Sequence, residues 1–81
     1  MSKFDKLINR FLSKPKDFEY GEMKTLLGGF GYSEADLKGS RVKFVSQTGH
    51  TIHFHKPHPS PAIPRYVLDL IEEELKKEGL L

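Results

Sequence analysis

The stretch Arg41-Val42-Lys43-Phe44-Val45-Ser46-Gln47-Thr48-Gly49-His50-Thr51-Ile52-His53-Phe54-His55 decides how this chain folds. Both of its halves alternate with period two, the mark of strands buried on one face only. Val42 and Phe44 point one way while Arg41 and Lys43 point the other. In the second half, Ile52 and Phe54 oppose His53 and His55 in the same manner. Directly opposed residues of an antiparallel pair share a face, so apolar must meet apolar across the hairpin. A three-residue loop, Gln47-Thr48-Gly49, meets this condition by pairing Ser46 with His50, Phe44 with Ile52 and Val42 with Phe54. It also puts Gly49 where a type I turn with a G1 bulge requires a left-handed residue. A two-residue Thr48-Gly49 turn would set Phe44 against His53 and mix the faces. The predicted register therefore stands Lys43 beside His53 and Arg41 beside His55, away from the core.

Outward from the hairpin, residues 32–38 read as a weaker strand with Gly39-Ser40 as its turn. Residues 2–14 form an amphipathic helix, with Phe4, Leu7, Ile8, Phe11 and Leu12 on one stripe. Ser2 and Asp5 suit its N-terminal cap, and Pro15 ends it with Lys14 biased to extended geometry. A second helix is expected from about Glu19 to Leu27, turning Tyr20, Met23, Leu26 and Leu27 inward. Gly28 and Gly29 then supply a left-handed cap, and Phe30 folds back on the last turn. These glycines match no phosphate-loop spacing, and no strand precedes them. The last helix starts near Pro64, at the first helical position, and runs to about Glu78 before Gly79. Its inner stripe is Val67, Leu70, Ile71 and Leu75, and Glu72/Lys76 and Glu73/Lys77 pair on its wet side. The order α-α-β-β-β-α predicts an α+β fold, a three-stranded antiparallel sheet with helices on one face.

Composition narrows the chemistry. The 81 residues have room for one domain and one modest core. With no cysteine, there is neither a disulfide framework nor a thiolate nucleophile, which fits a reducing, cytoplasmic setting. No apolar run approaches the roughly 18 residues of a membrane span, and the charged N-terminus lacks the apolar region of a secretory signal. The net charge of +2 hides a strong asymmetry. All carboxylates lie at or before Asp36, or at or after Asp69. Residues 37–68 hold Lys38, Arg41, Lys43, Lys56, Arg65 and all four histidines, with no acid. Such a one-sign stretch suits a polyanion or an acidic protein partner.

Two imidazoles and two fixed cations on one face are the groups needed to cut RNA. A base takes the proton of the 2′-OH, an acid protonates the leaving 5′ oxygen, and a cation stabilises the phosphoryl oxygens. Histidine suits both proton-transfer roles, because its unperturbed pKa lies near 6.5. His55 is the leading candidate and His53 the second. Lys38, Ser40, Arg41, Lys43, Lys56, His58 and Arg65 are candidates for binding phosphate. Other readings use the same residues. His53-x-His55-x-x-His58 has a spacing open to metal, yet no nearby carboxylate or cysteine completes a shell, so no metal or other cofactor is expected. The histidines also suit a scaffold that holds RNA through shape and phosphate contacts, or a module facing an acidic protein. His58 sits among Pro57, Pro59 and Pro61, whose rings stiffen the run into the last helix.

Met23-Lys24-Thr25-Leu26-Leu27-Gly28-Gly29-Phe30, Lys38-Gly39-Ser40-Arg41-Val42-Lys43-Phe44, Ile52-His53-Phe54-His55 and Leu75-Lys76-Lys77-Glu78-Gly79-Leu80 follow one another in an order that resembles the HicA toxins of bacterial toxin–antitoxin pairs. The resemblance covers roughly 60 residues, from about Phe18 onward. It implies a double-stranded-RNA-binding-like fold, cleavage of mRNA and neutralisation by a HicB-type antitoxin. It also divides the chain into an N-terminal helix and linker, residues 1–17, and a HicA-like domain, residues 18–81. In that family the glycine-serine turn is usually followed by a histidine taken to be catalytic; here the position is Arg41. Arginine is no general base at neutral pH, so either His55, opposite Arg41, carries the proton transfer or only binding remains.

Overall fold

Strand β2, Arg41–Ser46, pairs antiparallel with β3, Thr51–His55, and the register is the predicted one. Phe44 faces Ile52, Val42 faces Phe54, Lys43 faces His53 and Arg41 faces His55. Gly49 adopts φ +91°, and its N–H donates to Ser46 O at 3.0 Å. Ser46 N–H donates to His50 O at 2.9 Å, closing the loop as the G1 geometry requires. Val42, Phe44, Ile52 and Phe54 are buried, while Arg41, His53 and His55 are exposed and Lys43 is half-buried. The Phe44 and Phe54 rings stack across the pair, with centroids 5.7 Å apart.

The computed structural model describes residues 2–57 and 59–81, with Asp36 described through its backbone alone. Strand β1, Tyr32–Asp36, joins the other edge of β2, giving the sheet order β1-β2-β3. It is two residues shorter than predicted. Leu37 N–H still donates to Arg41 O, but Lys38, Gly39 (φ +75°) and Ser40 are taken up by the turn. Helices α1 (Lys3–Leu12), α2 (Tyr20–Gly29) and α3 (Arg65–Lys77) supply Phe11, Met23, Leu26, Leu27, Val67, Leu68, Ile71 and Leu75 to the core over the sheet's apolar face. The result is an α+β fold with one covered and one open sheet face.

Three local expectations change once the packing is known. Lys14 is left-handed at φ +54°, not extended. This step costs about 1–2 kcal/mol for a residue with a Cβ. It lets the helix end with Lys14 N–H on Phe11 O, and its largely covered ammonium reaches both Glu72 and Asp69 of α3. Glu72 is consequently not on a wet face; it lies between Lys14 and Lys76. The second change is at the end of α2. Gly28 and Gly29 stay helical, Phe30 caps, and Gly31 takes the left-handed step at φ +93°. Gly29 has a packing role, since a Cβ there would overlap the Phe4 ring, which also meets Phe30 edge-on at 5.2 Å.

The third change is in α3. Pro64 is the N-cap, so the helix starts one residue later than predicted, and the Pro64 carbonyl accepts from Val67 and Leu68. Leu68 is fully buried, whereas Leu70 remains 41% exposed. At about 100° per residue, Val67, Ile71, Leu75 and Leu68 span one arc of about 100°, and Leu70 falls some 60° outside it. The helix ends in a Schellman motif, with Leu80 N–H on Leu75 O and Gly79 at φ +73°. Before it, Ile63 N–H donates to Phe18 O and Tyr20 N–H to Pro61 O. This short bridge brings the N-termini of α2 and α3 to the same end of the sheet.

Two outcomes are expected. Leu68→Ala costs about 2–5 kcal/mol by cavity formation, whereas Leu70→Ala costs under about 0.5 kcal/mol, measured by urea unfolding. Equal losses would contradict the assigned stripe. Glu22, held down mainly by Arg10, Glu72, held down mainly by Lys14, and Glu74, held down mainly by Lys77, all lie below their ordinary value of 4.5. Their contribution is present above that value and disappears as pH falls through their folded range. Lys14 is raised above 10.5, chiefly by Glu72, so its contribution is complete below 10.5 and fades at higher pH. Urea midpoints for Glu72→Gln and the parent should converge as pH falls through the folded range of Glu72, below 4.5; a gap that stays constant on acidification would exclude the ionic account.

Candidate nucleic-acid interface

The open sheet face is built from three rows running across the strands. Arg41 stands beside His55, with Leu37 continuing the row from β1. Lys43 stands between Ala35 and His53, and Val45 stands between Ser33 and Thr51. The first two rows carry the charge and the third carries none. Leu37, Arg41, Val42, His53, Phe54 and His55 line a cleft of about 190 Å³ at the end of the sheet. Arg41, His53 and His55 are thus brought together as predicted, with Lys43 in the adjoining row. Among the described residues, neither Arg41 nor Lys43 has an ion-pair partner, so both cations are open to an anion.

Ser40 has a more specific position than a general phosphate contact. Its Oγ lies 3.5 Å from His55 Nδ1, and its carbonyl accepts from Lys56 N–H at 2.6 Å. The Gly39 turn is thereby clipped to the end of β3, next to the imidazole. Lys56 leaves the open face: its ammonium sits 5.7 Å from the Tyr20 ring centroid, and that ring packs on Phe54. Lys38 is exposed in the turn. Arg65 is exposed on the first turn of α3, with its Nε 3.9 Å from Asp69. The turn, Lys56 and the N-termini of α2 and α3 therefore share one end of the molecule, where the helix dipoles add positive potential. His58, the remaining predicted contact, lies outside the described residues.

His50 belongs elsewhere. It sits at the opposite end of the sheet, where Nδ1 is 2.7 Å from Tyr32 Oη and Nε2 is 3.2 Å from Glu74 Oε1. With both ring nitrogens occupied, it links β1, the hairpin and α3. Burial pushes the Tyr32 phenol up, with Glu78 and Glu74 adding to the effect. Sequence position put His50 in the basic stretch; strand direction separates it from the other two described histidines. Leu37 was missed as part of the site. Continuing the alternation of Ser33 and Ala35 by one more step would have put it on the open face. Among the described residues, no group of three metal-ligating side chains is gathered. Likewise, no described helix is long and apolar enough to cross a membrane.

A family model described as the HicA toxin of bacterial toxin–antitoxin systems matches residues 20–80. The chain belongs to the HicA toxin family. The match begins at the first residue of α2 and takes in the whole sheet and α3, so the fold is the double-stranded-RNA-binding-like arrangement of that family. Helix α1 precedes the matched region, yet its Phe11 is fully buried in the toxin's core. Membership of a toxin–antitoxin family implies a cognate antitoxin as partner. No curated protein and no solved structure matches the toxin.

The environments of the histidines predict their reactivity. Diethylpyrocarbonate should modify His53 and His55 several-fold faster than His50 in the folded toxin, as read by peptide mass spectrometry. Equal rates would mean that the Tyr32–His50–Glu74 link is open in solution.

Proposed function

We propose that the toxin binds mRNA on its open sheet face and cleaves it by general acid–base chemistry, in the cytosol, until a HicB-type antitoxin occupies it. The observation that carries this reading is the Arg41–His55 rung, exposed at a cleft, with Ser40 at His55 Nδ1. With Ser40 accepting from Nδ1–H, the His55 Nε2 lone pair is free to take the proton of a 2′-OH. The 2′ oxygen attacks phosphorus as the bond to the 5′ oxygen breaks, leaving a 2′,3′-cyclic phosphate and a 5′-OH. His53, two residues along β3, is the group to protonate that 5′ oxygen. Arg41 and Lys43 stabilise the charge on the phosphoryl oxygens, with Lys38, Lys56 and Arg65 steering the polyanion to the same end and His58 as a further phosphate contact.

Arg41 itself favours a second reading. It occupies the position where the family usually keeps the histidine taken to be catalytic, and a guanidinium cannot act as a base at neutral pH. In that reading the face holds RNA without cutting it. Incubating purified toxin with single-stranded RNA in EDTA separates the two. Cleavage is expected, and His55→Ala should lower the rate by about 10²-fold or more while retaining salt-dependent binding. Salt-dependent binding with no cleavage by the parent would leave the holding function alone. Unchanged cleavage by His55→Ala would remove His55 from the reaction.

A further inference from the structure

The two charged rows of the open face repeat the same chemistry. Arg41 with His55 and Lys43 with His53 each put one fixed cation beside one exposed imidazole. Residues i and i+2 of a strand are about 7 Å apart on one face. That step is close to the spacing of successive phosphates along an extended RNA strand. The third row, Ser33, Val45 and Thr51, has no charge, so the repeat stops at two. Neither Arg41 nor Lys43 is taken up by a carboxylate among the described residues, and both cations are available to the ligand.

The two rows also differ in a way that gives the track a direction. Only the Arg41–His55 row has a hydroxyl beside an imidazole nitrogen, with Ser40 Oγ 3.5 Å from His55 Nδ1, and the proposed reaction takes His55 as its base. The base stands at the 2′-OH, on the 5′ side of the reacting phosphate. The leaving oxygen, and the nucleotide attached to it, lie on the opposite side of phosphorus in an in-line displacement. His53 and Lys43 occupy that side. From this geometry we infer that Lys43 forms a subsite for the phosphate immediately 3′ of the one held at Arg41 and His55. RNA then runs 5′ to 3′ from the Gly39 turn toward the uncharged third row. This subsite rests on the RNA reading given above, but it concerns binding and does not require that the bond be cut.

The test uses three uncleavable 2′-O-methyl uridine ligands with the intact toxin: the dinucleotide UpU, its 3′-phosphorylated form UpUp and its 5′-phosphorylated form pUpU. Affinities and the His53 and His55 ring signals are followed by NMR titration. UpU should shift mainly the His55 ring. UpUp should also shift His53 and bind about threefold to fivefold tighter, as expected for an exposed charge contact. Lys43→Ala should abolish that gain, so that UpUp binds no tighter than UpU, and Lys43→Arg should restore it. The gain shown by pUpU should survive Lys43→Ala. A UpUp advantage untouched by Lys43→Ala, or an equal loss for UpU and UpUp, overturns the subsite while leaving the RNA face intact. No binding of any of the three ligands overturns the RNA face and the subsite with it.

Discussion

The register of the β2–β3 hairpin is the constraint on which the remaining structure depends. Phe44 against Ile52 and Val42 against Phe54 can be satisfied only when Gly49 takes its left-handed turn. A slip of one residue between the two strands would set the apolar side chains of one against the polar side chains of the other, burying either Arg41 and Lys43 or His53 and His55. Core and site are therefore two sides of one pairing. Burial of each large apolar side chain contributes about 1.5–3 kcal/mol, while exposed cations and imidazoles contribute little to stability. The apolar face holds the register, and the functional face is carried along by it.

The second organising fact is direction. Antiparallel pairing puts the Gly39 turn and the end of β3 at one edge of the sheet, and the hairpin loop at the other. The bridge between Glu19 and Ala62 brings the starts of α2 and α3 to the first edge. Lys38, Arg41, Lys56 and Arg65 thus share this edge with the two helix N-termini, of which that of α2 is capped by Glu19 and Glu22. The opposite edge gathers Tyr32, His50, Glu74 and Glu78, with the end of α3. The proposed RNA surface is the first edge together with the open face.

Helix α1 shows how much of the core lies outside the matched family region. Phe11 is buried against Phe18, Phe4 fills the space that Gly29 leaves on α2, and Lys14 holds two carboxylates of α3. Arg10 adds a bond to Glu22 at the start of α2. These contacts fasten α1 to both neighbouring helices on the covered side of the sheet. The open face remains uncovered by the chain's own described helices.

Period-two alternation and one glycine were enough to determine the strands, their register and the rung of Arg41 with His55. These features are local, because a hairpin pairs residues that are near in sequence and its turn chemistry is written in the loop. The order of elements and the family were legible for the same reason. What the sequence could not settle depended on which distant surface each residue meets. Leu68 displaced Leu70 because the sheet and the other helices chose the arc of α3 that is buried. Lys14 gave up extended geometry because Asp69 and Glu72, far along the chain, stood within reach. His50 left the basic cluster because strand direction carried it to the acidic edge, and Ser40 became a neighbour of His55 because the Gly39 turn closes onto the end of β3. Local patterning determined the faces; long-range packing decided which groups on them meet.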